Sequence, residues 1–122
     1  MGMSDKRWLI WFRRGPFGTS YAREGLDLLL VLGAFDQRVS AFFERDALSL
    51  IQRNRDCAEL GMKDFGKGFA ALPLYGVSDI YYDPDTLAEL GISRQELTLE
   101  AKPLSRGDLA AFIQRFDHVL SF

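Results

Sequence analysis

Five short apolar runs, each too short to be a stable helix, alternate with stretches that carry helix caps and helical spacing. This alternation restricts the fold more than any other feature of the chain. "RWLIWF" (Arg7–Phe12), "RVSAFF" (Arg38–Phe43), "SDIYY" (Ser78–Tyr82), "ELTLEA" (Glu96–Ala101) and "DHVLSF" (Asp117–Phe122) read as strands. The first is nearly continuous in apolar residues, as in a parallel strand buried on both faces. "ELTLEA" alternates in the manner of a sheet edge. Strands interleaved with helices predict an α/β domain, three layers deep, around a mostly parallel five-stranded sheet. The 122 residues fit one domain, spanning 1–122.

The helices are marked by their ends. Thr19 or Ser20 can cap a leucine-rich helix over Ser20–Leu32 that stops near Gly33. Asp46 is a plausible cap for a short helix through Ile51. "KDFGKGFAALPLYG" reads as a helix weakened by Gly66 and Gly68 and stopped by Pro73, while "QRNRDCAELGM" (Gln52–Met62) is polar and irregular. "DPDTLAELGI" places Pro84 at a first helical position with Asp83 as cap and Gly91 beyond the end. Ser105 is expected to cap the last helix.

Composition excludes several functions. Cys57 is the one cysteine and His118 the one histidine, which excludes an intrachain disulfide and a cysteine metal cluster and argues against most nucleophilic triads. No metal site or cofactor is expected. A net charge of −2 and a pI near 5.3 argue against direct nucleic-acid binding, although Arg13, Arg14 and Arg23 flank the opening turn. No segment is apolar for long enough to cross a membrane. The polar start, without a signal-peptide core, points to the cytoplasm.

In parallel α/β sheets ligands collect beyond the carboxyl ends of strands. That directs attention to residues 14–19, 44–46 and 83–85 and to the loop before Ser105. The turn "GPFGTS" offers Gly15, Pro16, Gly18, Thr19 and Ser20 as an anion site at a helix start. It matches neither phosphate-loop pattern, and a simple strand-to-helix joint explains it better. Arg23 and Asp27, four residues apart on a helix, read as a solvated stripe, and Gly25 as a point of close approach to the sheet. Cys57 follows Arg53, Arg55 and Asp56, away from any strand end. Asp83 follows a strand, but a receiver-domain reading lacks the acidic pair after the first strand and the lysine after the fifth. His118 reads as structural. The aromatics Trp8, Trp11, Phe12, Phe42, Phe43, Phe65, Phe69, Tyr75, Tyr81 and Tyr82 suit either a crowded core or a partner surface.

"PFGTSYAREGLDLLLVLGAF" followed by "VSAFFERDALSLI" resembles the opening half of the DsrE/DsrF-like sulfur-relay family, of the TusC/DsrF type. "LPLYGVSDIYY", "AELGI", "LTLEAKPLSRGDLAAFI" and "FDHVLSF" extend the resemblance over nearly the whole chain. It implies a heterohexamer with two copies each of three related chains, the partners being of TusB/DsrH and TusD/DsrE type. Such assemblies relay persulfide sulfur for 2-thiouridine formation in tRNA or for sulfur oxidation. Made alone, the chain could form a homo-oligomer. The sulfur-carrying relatives hold a cysteine after the third strand, where this chain has Asp83. A carboxylate cannot form a persulfide, so the resemblance implies a non-catalytic structural subunit. The rival readings are a stand-alone sulfurtransferase using Cys57 and a small anion- or nucleotide-binding module built on Gly15–Ser20.

Overall fold

The computed structural model describes residues 6–13, 21–35, 37–52 and 66–122. Gly15–Ser20, Arg14, Cys57 and Phe65 lie outside them. Five strands, β1 (Arg7–Phe12), β2 (Arg38–Phe43), β3 (Asp79–Tyr82), β4 (Lys102–Pro103) and β5 (His118–Ser121), form one sheet in the order β4-β3-β2-β1-β5. Every pairing is parallel. The helices are α1 (Tyr21–Ala34), α2 (Gly66–Ala70), α3 (Pro84–Glu89) and α4 (Arg106–Ile113), with 3-10 turns at Arg45–Ile51, Leu72–Tyr75 and Arg94–Glu96.

Alternation along the strands divides the interior into two layers. Ile10, Phe12, Val39, Ala41, Phe43, Ile80 and Tyr82 face a large core shared with α1 and the Arg45–Ile51 turn. Leu9 and Phe42 face a smaller one with Leu104 and Phe112, and Trp11, Tyr81 and Leu109 pack at its margin. The sheet is therefore covered on both sides, and the three-layer α/β/α expectation holds. Most of the aromatics belong to these cores: Phe12, Phe42, Phe43 and Phe69 are fully buried, and Tyr82 nearly so.

Two expectations are corrected. "ELTLEA" is not a strand of the sheet. Leu97, Leu99 and Ala101 are buried in alternation as expected, but Thr98 N donates to the Ile51 carbonyl at 2.7 Å and Leu97 forms an isolated antiparallel bridge with Gln52. The backbone is satisfied by the preceding turn, and the ladder with β3 starts only at Lys102. Asp46 is not a cap. Glu44 occupies that position, and the next residue, Arg45, takes a left-handed φ of 51°. Ser105 does sit at the cap of α4, yet its hydroxyl donates to the Asp108 carboxylate at 2.9 Å and caps no backbone N–H.

Close packing of α1 depends on two glycines. A Cβ on Gly25 would meet the Phe12 ring at 2.5 Å, and one on Gly33 would meet the Tyr75 carbonyl oxygen at 2.3 Å. A backbone carbonyl cannot swing aside as a side chain can. Gly33→Ala is expected to cost about 1–3 kcal/mol through this overpacking, seen as a lower urea midpoint at unchanged m value. An unchanged midpoint would show that the two elements are not held at this spacing.

Candidate functional site at the carboxyl edge of the sheet

Strand ends deliver four charged residues to the carboxyl edge. Arg13 follows β1, Glu44 follows β2, Asp83 follows β3, and Arg106 opens α4 just after β4. They neutralise one another in two pairs. Arg13 Nε lies 3.4 Å from Glu44 Oε1, and its guanidinium rests over the Trp11 ring at 5.0 Å. Arg106 reaches Asp83 Oδ2 at 3.2 Å.

Asp83 is the inner member of this set, with a side chain 0% exposed. Its Oδ1 accepts from Asp85 N at 3.0 Å and Thr86 N at 3.4 Å. Its Oδ2 accepts from the Thr86 hydroxyl at 3.0 Å and from Arg106. Burial acts to raise its pKa. The hydrogen bonds from Thr86 and Arg106, with the guanidinium charge, outweigh burial and hold the carboxyl below its ordinary value. The side chain is thus an anion fixed by four donors. It caps α3 as the sequence predicted, and it presents no nucleophile and no transferable proton to solvent.

Other sequence candidates fall apart in space. Arg23 and Asp27 are exposed on α1 and form no ion pair with each other. His118 stacks on Trp8 with ring centroids 4.2 Å apart, at the amino end of β5 and far in sequence from any carboxylate of this edge. The Gly15–Ser20 turn and Cys57 lie outside the described residues; a cleft of about 380 Å³ bounded by Arg13, Tyr21, Ser121 and Phe122 lies beside the start of α1. Among the described residues no group of three His, Cys, Asp or Glu is placed to hold a metal. Thr86 and Arg106, which fix Asp83, were not singled out from sequence. Thr86 had a signal in its i+3 spacing from a capping aspartate, whereas Arg106 had none, being 23 residues away.

An all-parallel sheet between two helical layers, with two ion pairs among the described residues of its carboxyl edge, defines a small α/β fold. The DsrE/DsrF-like family matches residues 6–122, and the chain belongs to that family. A Pseudomonas aeruginosa protein described as a TusC homolog is 34% identical over 113 residues, covering 93% of this chain and 95% of its own length. The intracellular sulfur oxidation protein DsrF of Allochromatium vinosum is 36% identical over 92 residues, 75% of this chain and 68% of its own. The crystal structure of the YchN protein from E. coli shares the fold at a TM-score of 0.80 and 19% identity, over 96% of this chain and 99% of that one.

Because its folded pKa is depressed, Asp83 contributes stability that is fully present above the ordinary carboxylate value of about 4. That contribution is lost as pH falls through the folded-state value. Asp83→Ala, which removes the α3 cap, should cost about 1–2 kcal/mol at neutral pH. The gap between parent and variant should begin to close only below about pH 4. A gap that stays constant down to about pH 2 would rule out the ionised carboxylate as its source.

Proposed function

We propose that this chain is a non-catalytic structural subunit of a sulfur-transfer complex of TusBCD/DsrEFH type. It acts in the cytoplasm beside TusB/DsrH-type and TusD/DsrE-type chains in a heterohexamer. The complex passes persulfide sulfur towards tRNA 2-thiouridine or, in a sulfur oxidiser, through sulfur oxidation. One observation carries the non-catalytic reading: at the strand end where the resemblance places a relay cysteine, this chain has Asp83, buried and held by Thr86 and Arg106. A carboxylate so committed holds an edge together and takes up no sulfur.

Partner docking draws support from exposed apolar residues. Val31 and Phe35 share one face at the end of α1, and Leu74 and Tyr75 lie on the 3-10 turn packed against that helix end at Gly33. Phe35 is 73% and Leu74 87% exposed. Apolar side chains left in water on adjoining elements are what a partner surface supplies.

Co-expression with TusB- and TusD-type chains, followed by native mass measurement, should give a particle of six chains containing all three. A lone chain or homo-oligomer that ignores both candidates would overturn the subunit reading. Cys57→Ser should leave sulfur transfer by the assembled complex unchanged. Loss of transfer in that variant would instead favour the stand-alone sulfurtransferase.

A further inference from the structure

The opposite end of the sheet has a different character. β1 and β2 both begin with arginine, and Arg7 and Arg38 are register partners in the parallel ladder. Both belong to the sheet face covered by α4: Arg7 alternates with Leu9, and Arg38 with Phe42. Like charges set side by side on one face repel. Among the described residues neither guanidinium has an ion pair or a hydrogen bond.

Arg7 is held nonetheless. Its guanidinium lies over the Phe116 ring at 5.0 Å, and its backbone N–H donates to the Asp117 carboxylate at 2.7 Å. Stacking uses the face of a guanidinium and leaves the N–H edge free to donate. Both arginines line a cleft of about 450 Å³ with Gln37, Ser40, Ser78 and Asp79.

Asp79 does not quench the pair. Its carboxylate accepts from the Ser40 hydroxyl, and from Lys102 Nζ at 3.4 Å. The cleft thus offers two arginines whose backbones are held in register, neither with an ion pair among the described residues, and the Ser78 hydroxyl. Guanidinium forks match the oxygens of tetrahedral anions in spacing and plane. The volume lies in the range of small-molecule sites and exceeds what a bare anion fills.

We infer that the cleft between Arg7 and Arg38 is a binding site for a tetrahedral oxyanion of the phosphate class, carried free or as the terminal phosphate of a nucleotide. The site lies at the amino ends of the strands, away from Asp83, and is independent of the subunit reading. Bound anion would replace the repulsion between the two arginines with shared charge-assisted hydrogen bonds.

Calorimetric titration of the full chain with inorganic phosphate and with adenosine monophosphate, at ionic strength matched by sodium chloride, tests it. Saturable binding is expected, weakened roughly tenfold or more by Arg38→Ala, as loss of a charged hydrogen-bond donor implies. Arg7→Gln should weaken it similarly. If loss of the Phe116 stacking unfolds that variant, Arg38→Ala decides alone, since the Arg38 side chain is exposed and has no ion pair among the described residues. Equal affinity for the two probes marks a free-anion site; tighter adenosine monophosphate marks a nucleotide phosphate. Absence of saturable binding, or binding that Arg38→Ala leaves intact, overturns the site.

Discussion

Much of the structure depends on three phenylalanine rings. Phe12 ends β1 and Phe43 ends β2, and register places them side by side with rings stacked 4.8 Å apart and 3° from parallel. Phe69 meets both edge-on, at 5.3 and 5.5 Å. Aromatic pairs in such arrangements add about 0.5–1.5 kcal/mol each beyond the area they bury. The cluster also fixes its neighbours. Gly25 is required where α1 crosses Phe12, and Phe122 closes against the same ring at 6.4 Å. The carboxyl ends of the two strands, where related folds keep ligand space, are therefore filled on this face by hydrocarbon.

Four of the charged residues described at that end are paired. Arg13 and Arg106 keep much of their contact with water, at 57% and 43% exposed, and each meets a carboxylate that has lost most of its own. Arg13–Glu44 spans β1 and β2; Asp83–Arg106 spans β3 and the start of α4. The Glu44 side chain is 12% exposed and the Asp83 side chain not at all. Breaking such a pair leaves a buried charge uncompensated, a cost well above what the intact pair contributes. The two pairs hold the shape of this edge.

The sheet was legible where burial and hydrogen bonding demand the same residues. β1, β2 and β3 are apolar on both faces, and a parallel strand between two helical layers requires that. "ELTLEA" misled because burial and pairing separate there. Leu97, Leu99 and Ala101 turn inwards with the period of a strand, while the backbone bonds to Ile51. Period two reports which side chains are buried and not which chain completes the ladder. Capping showed the same divide. Asp83 was recognisable because its partners, Asp85 N and Thr86 N, lie within three residues. The Arg106 pair was not, because only the fold brings α4 back over the end of β3. Asp46 looked like a cap, but Arg45 takes up the left-handed turn before it and shifts the cap to Glu44.

Net charge concealed the rest. A value of −2 says that acids exceed bases over the whole chain, and says nothing of where each sign gathers. At the carboxyl edge Arg13 and Arg106 each meet a carboxylate. At the amino edge, register sets Arg7 beside Arg38, and the one carboxylate on that stretch of β3, Asp79, is taken by Ser40 and Lys102. Burial raises the pKa of Asp79, but its hydrogen-bond donors overcome that and keep it ionised below the usual carboxylate range. Its hydrogen-bond partners include Ser40 and Lys102 and neither arginine. Two strands that start with the same residue type, brought into register by parallel pairing, thus concentrate positive charge on a protein that is acidic as a whole. Neither arginine is conspicuous alone; the property belongs to their alignment.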